Sequence, residues 1–240
     1  MMLEVNGLKK IYNKRKPRGL FETSFTAESG SIVGLLGENG AGKTTLLRCM
    51  SGLCAQGGGT VLLDGKAPYE CGEDISYITG EGSYLPALRV EEYGEFLQDM
   101  HCNFDIARYV KLCDFFSLDY SAKINKMSTG ERAKVELAAG FAKKAKYIFM
   151  DEPFLGKDVF TRLDFLKLMS GALRGGETIF LCTHYIDEIE HFIERAIIMH
   201  NGKISADISV EQLHSEGVSL IDKMADIAGW DAQKYLAFDD

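Results

Sequence analysis

Gly37-Glu38-Asn39-Gly40-Ala41-Gly42-Lys43-Thr44-Thr45 constrains this chain more than any other stretch. It matches the phosphate-binding pattern G-x-x-x-x-G-K-[ST]. The chemistry needs that composition. Successive backbone N–H groups can turn inward only where the chain takes positive φ, which glycine does at little cost. The helix that follows adds its free N-terminal N–H groups and positive dipole end. The context suits this. Ser31 to Leu36 (SIVGLL) reads as a buried strand, and Lys43 to Met50 has helical character. Gly37, Asn39, Gly40, Ala41 and Gly42 would form the cradle, and Lys43 would reach the β- and γ-phosphates of ATP. The Thr44 hydroxyl would hold Mg²⁺, leaving Thr45 to continue the helix start.

Such a loop belongs to an α/β scaffold, and the rest of the chain alternates accordingly. Short strands are expected at Leu3 to Val5, Leu20 to Phe25 and Thr60 to Leu63, the last closed by the turn Asp64-Gly65. From about Leu88 to Ala142 the periodicity turns helical, over Val90 to Met100, Asp105 to Phe116 and Gly130 to Lys143. Strand signals return at Tyr147 to Met150, Thr178 to Cys182 and Ala196 to Met199, with a helix from Val159 to Leu173. A turn at Asn201-Gly202 leads to a last short strand, and a helical tail follows from about Ser209. The division expected is a core over 1–206, a helical insert over about 82–143 and a tail over 207–240.

Composition narrows the function. The 240 residues are 46% hydrophobic with a formal net charge of -8, globular but without the broad basic surface of a nucleic-acid binder. A local basic run, Lys9-Lys10 and Lys14 to Arg18, reads as a solvated loop. The six cysteines form no C-x-x-C pair and no zinc spacing, which fits a reducing cytoplasm. Met1 to Val5 shows no signal-peptide pattern. No stretch approaches the roughly 18 apolar residues of a membrane span, so work at a membrane would need a partner.

Two further sites suit the same ligand. Tyr147 to Met150 is an apolar run ending in Asp151-Glu152-Pro153. In a parallel sheet, ligands sit outside the carboxyl ends of the strands. Asp151 would there hold Mg²⁺, and Glu152, pointing differently, would orient and activate the attacking water. His184 follows the strand Thr178 to Cys182, whose end should face the same ligand, and is otherwise a capping or surface residue.

Met127-Ser128-Thr129-Gly130-Glu131-Arg132, about twenty residues before Asp151, resembles the L-S-G-G-Q signature of the ABC ATPases in its L-S-x-G-x form. With the phosphate loop, the acidic strand end and Thr183-His184 in the family's order, the resemblance covers about residues 2 to 206. It implies a P-loop core sheet with an N-terminal antiparallel portion and an inserted helical subdomain. It implies a hydrogen bond from His184 to the γ-phosphate, adenine stacking by Tyr12 and capping of the γ-phosphate of a partner's ATP by Ser128 and Gly130. Asp158 is placed at the dimer interface, where its alternative is a helix N-cap. Domains of this family work as head-to-tail pairs, as homodimers or heterodimers, closed by ATP.

Three departures stand out. Gly80 occupies the place of a family Gln that binds Mg²⁺; either Glu81 beside it substitutes or the contact is lost. Thr129 replaces a signature glycine, and Lys157 a small or apolar residue. The resemblance points to an ATPase subunit, peripheral on the inner face of the cell membrane, serving a separate transmembrane permease, most like bacterial exporters. The alternatives are a soluble ABC ATPase of ribosomes or DNA, disfavoured by the acidic charge, and a regulatory domain without turnover.

Overall fold

The computed structural model describes residues 2–12, 18–80, 82–154, 159–172 and 176–229. Two sheets organise them. A small antiparallel sheet, in the order β2-β1-β4, joins β1 (Met2–Ile11), β2 (Gly19–Glu28) and β4 (Gly58–Leu63). The larger sheet has the order β5-β6-β7-β3-β8-β9. Its members are β3 (Ile32–Gly37), β5 (Ile75–Thr79), β6 (Tyr147–Asp151), β7 (Thr178–Cys182), β8 (Arg195–His200) and β9 (Lys203–Ser209). All neighbours are parallel except β8 and β9, which form a hairpin over the Asn201-Gly202 turn.

The parallel strands are apolar throughout because both faces are covered. Side chains alternate between faces, so each strand divides its residues between two cores. Ile32, Leu36, Ile148, Met150, Ile179 and Leu181 enter one core, beneath the helices. Val33, Leu35, Phe149 and Phe180 enter the other, against the small sheet and α1 (Lys43–Met50). Phe149 and Phe180 stack there with ring centroids 5.6 Å apart, an arrangement that adds about 1 kcal/mol beyond burial.

Between β5 and β6 run α2 (Val90–Met100), α3 (Ile106–Phe115) and α4 (Thr129–Ala142). Asp105 caps α3 by accepting from the Arg108 N–H at 2.9 Å. Then come α5 (Val159–Ala172), α6 (Ile186–Ile189), α7 (Val210–Ser215) and α8 (Leu220–Ala228). Val210, Leu213 and Leu220 bury themselves in the core beneath the helices. The α/β class, the antiparallel N-terminal portion and the helical insert are those expected. Sequence patterning missed β5, a five-residue edge strand, and the one-turn α6, and it made β1 too short. Lys14 to Pro17, Lys157 and Trp230 lie outside the described residues.

β1 and β4 approach each other closely at Gly59, which has φ +77°. A Cβ there would stand 2.2 Å from the Gly7 carbonyl oxygen, which is backbone and cannot swing aside. Gly59→Ala is therefore expected to destabilise the fold by about 2 kcal/mol or more. Urea unfolding would show this as a lowered midpoint; an unchanged midpoint would contradict it.

Candidate functional site

In the strand order β6-β7-β3, three carboxyl ends lie side by side. They deliver Asp151-Glu152, Cys182-Thr183-His184 and Gly37 with its loop to one place. The loop takes the backbone its glycines permit, with φ of 142°, 83° and 103° at Gly37, Gly40 and Gly42. A Cβ on Gly37 would lie 2.2 Å from the Met199 carbonyl oxygen, so only glycine fits between β3 and β8. The β8–β9 turn braces the loop from outside. Gly202 N–H donates to the Ala41 carbonyl at 3.1 Å, and Phe21 N–H donates to the Gly202 carbonyl at 2.8 Å. The small sheet and the large one thus both hold the loop.

Lys43 is buried at the base, and its ammonium donates to the Gly37 and Glu38 carbonyls at 2.7 and 3.0 Å. The Thr44 hydroxyl donates to Asp151 Oδ1 at 2.9 Å. Alternation explains the meeting: Asp151 shares the face of Tyr147 and Phe149, which is the face α1 covers. Asp151 Oδ2 accepts from the Tyr77 hydroxyl at 2.8 Å. Sequence reasoning did not single out Tyr77. Had β5 been recognised, alternation from Ile75 would have put Tyr77 on the Asp151 face. Burial, reinforced by the Asp151 carboxylate, pushes the Tyr77 phenol well above its ordinary pKa, so it stays protonated and can only donate to Asp151.

Glu152 turns the other way. Its φ of 50° is left-handed, a strained conformation for a residue with a side chain. Its N–H donates to the Cys182 carbonyl at 2.9 Å, and its Oε1 lies 2.9 Å from His184 Nε2. Burial raises the Glu152 pKa above its ordinary value, and the charges of His184 and Lys43 only partly oppose this.

An open cleft of about 300 Å³ lies over the loop. Tyr12, Arg18, Asn39, Thr45, Glu152 and His184 are among the residues lining it. Tyr12 is 60% exposed at its edge. The Lys10 ammonium sits 5.6 Å from its ring centroid, and the Tyr12 hydroxyl lies 3.7 Å from Cys54 Sγ.

Ser128 and Gly130 are not in this cleft. Ser128 N-caps α4 in a reciprocal box. Its hydroxyl accepts from the Glu131 N–H at 3.2 Å, and its own N–H donates to Glu131 Oε2 at 2.8 Å. The Ser128 side chain is exposed at that helix end. Glu81 and Asp158 lie outside the described residues. Gly80, at the departure from the family pattern, donates its N–H to the Asp151 carbonyl at 3.0 Å.

A glycine-built phosphate loop, a hydroxyl-carboxylate pair and a second carboxylate beside an imidazole define a nucleotide-hydrolysing P-loop domain. The ABC transporter family model matches residues 20–155. The chain is 31% identical to the lipopolysaccharide export system ATP-binding protein LptB of Haemophilus influenzae, over 90% of this chain and 93% of that protein. It is 28% identical to the ABC transporter ATP-binding protein YtrB of Bacillus subtilis, over 91% of this chain and 76% of that one. A solved ATP-binding subunit of an ABC transporter superposes with a TM-score of 0.85 at 25% identity, over 95% of this chain and all of that one. The chain belongs to the ABC transporter family as an ATP-binding domain, and domains of this family are ATPases.

Glu152 makes stability pH-dependent. Its carboxyl pKa is raised from 4.5 in the folded chain. Between the two values the folded chain holds a proton that the unfolded chain has lost, so stability falls as pH rises through that window. Glu152→Gln lacks this titration. Urea unfolding from acid pH to neutrality should show the variant gaining on the native chain as pH rises above about 4.5. A difference that stays flat with pH would contradict it.

Proposed function

We propose that this chain is the ATP-hydrolysing subunit that drives a separate membrane permease, an exporter, by closing on ATP as one half of a head-to-tail pair. The observation carrying this is the convergence of Lys43, Thr44, Asp151, Glu152 and His184 at three adjacent strand ends.

Each side chain has a distinct task. Lys43 leaves the Gly37 and Glu38 carbonyls for the β- and γ-phosphates. The ammonium trades the neutral carbonyls of its own loop for anionic oxygens, which attract it more strongly. The Thr44 hydroxyl and the Asp151 carboxylate, 2.9 Å apart, are the hard oxygen donors that Mg²⁺ prefers. When bound, Mg²⁺ would neutralise charge on the β- and γ-phosphates. Tyr77 holds the Asp151 carboxylate in its rotamer for that task.

Glu152 orients the attacking water and accepts its proton. Burial favours this role, since a base of raised pKa is stronger near neutral pH. His184 donates toward the γ-phosphate, and its contact with Glu152 keeps both side chains aimed into the cleft. Tyr12 supplies the adenine face.

Ser128 and Gly130 stand at an exposed helix start, where a phosphate held by another copy would take the Ser128 N–H and hydroxyl from the Glu131 carboxylate that they meet in the single chain. That placement supports a pair in which each ATP lies between one copy's loop and the other's signature. No helix among the described residues is long and apolar enough to cross a membrane, so a separate permease would supply the passage. The name of one relative, that of an export system, favours export, and a partner permease would hold the chain at the inner membrane face.

Glu152→Gln is expected to hold ATP without turnover and to double the particle mass by light scattering when ATP and Mg²⁺ are added. A tagged form pulled from gently solubilised cells should bring down a multi-span membrane protein. Wild-type turnover would sink the role of Glu152, and recovery of ribosomal proteins or DNA alone would sink the transporter reading.

A further inference from the structure

α4, N-capped by Ser128, packs against β5, an edge strand of the large sheet. Gly140 makes that approach possible: a Cβ there would stand 2.4 Å from Ile78 Cδ1. Its carbonyl accepts from the Ser76 hydroxyl at 2.9 Å. One turn earlier, on the same helix face, stands Glu136. It is only 5% exposed, on a helix whose neighbouring positions are apolar.

A buried carboxylate is costly unless donors meet it, and among the described residues such donors are in place. Glu136 accepts from the Thr79 N–H at 3.2 Å, the Ser83 N–H at 2.9 Å and the Ser83 hydroxyl at 2.9 Å. Thr79 is the last residue of β5 and pairs with Asp151 across the β5–β6 ladder. The next residue, Gly80, donates its N–H to the Asp151 carbonyl. The end of β5 is therefore fastened to Asp151 on one side and to Glu136 on the other. β5 thus reaches Asp151 through this backbone contact and, earlier in the strand, through the Tyr77 hydroxyl on Asp151 Oδ2.

We propose that Glu136 is a positioning residue whose carboxylate locks the end of β5 to the helix that begins at Ser128, so that displacement of that helix is transmitted to Asp151. The inference rests on the reading of Ser128 as a phosphate-capping residue in the pair. Glu136 does not line the cleft over the phosphate loop and acts through Thr79, Ser83 and the β5–β6 ladder.

The test separates turnover from binding. ATP hydrolysis at saturating ATP and equilibrium binding of a fluorescent ATP analogue would be measured for the native chain, Glu136→Gln, Glu136→Ala, Ser83→Ala and the Glu136→Ala/Ser83→Ala double variant. Glu136→Ala is expected to lower kcat about tenfold, which is ~1.4 kcal/mol of barrier, with analogue affinity within about twofold of native. Glu136→Gln, isosteric and still an acceptor, should fold if Glu136→Ala does not and lose less turnover. The double variant should be no slower than Glu136→Ala, because both remove one contact. Native kcat in Glu136→Gln and Glu136→Ala, or a kcat that falls only in step with affinity, would overturn the proposal. A parallel Ser128→Ala variant keeps the two readings apart: if it alone loses turnover, only the role of Glu136 fails, and if it too keeps native turnover, the signature reading fails with it.

Discussion

The phosphate loop depends on a fit that leaves no room for a side chain. Gly37 sits against the Met199 carbonyl, and Gly42, with φ +103°, faces Leu20 and the Gly19 carbonyl. Gly202 N–H ties Ala41 to the hairpin beyond β8. Strands from both sheets meet at this one turn. The antiparallel portion is thus more than a lid on a second core: it sets the loop whose N–H groups must converge. The apolar β3 run and its partners β7 and β8 make that turn rigid by burying both faces.

The same sheet sorts the acidic pair. Side-chain alternation aims Asp151 at Thr44 and Tyr77, under α1. The left-handed φ at Glu152 then breaks the alternation and swings the next carboxylate to His184. Two adjacent carboxylates gain different surroundings from one backbone irregularity. One is held by two hydroxyls. The other is half-buried beside an imidazole, with its pKa pushed upward. Separating a metal-binding oxygen set from a base is what ATP hydrolysis asks of such a site.

Much of this was legible in the order of residues. Apolar runs ending in Gly37, Asp151 and Cys182 identified three of the strands whose ends meet at the cleft, because a parallel strand buried on both faces carries no competing polar pattern. What escaped notice lies at the sheet edge. Ile75 to Thr79 carries a serine, a tyrosine and a threonine in five residues and is followed by a glycine-rich turn, so its strand character was hidden. Tyr77 went unnoticed with it. Glu136 left one faint mark, a single acid among Val135, Leu137, Ala138 and Ala139. The donors that meet it, the Thr79 and Ser83 N–H groups and the Ser83 hydroxyl, lie far along the chain, where no helix pattern announces them.

In the proposed function, Lys43 exchanges the Gly37 and Glu38 carbonyls for the phosphates of ATP. Calorimetric titration of ATP with Mg²⁺ into the native chain and into Lys43→Ala tests this most directly. Measurable binding is expected to the native chain, with a loss of at least about a hundredfold in the variant, the scale of one or two charge-assisted hydrogen bonds to phosphate. Equal affinity in the two proteins would contradict it.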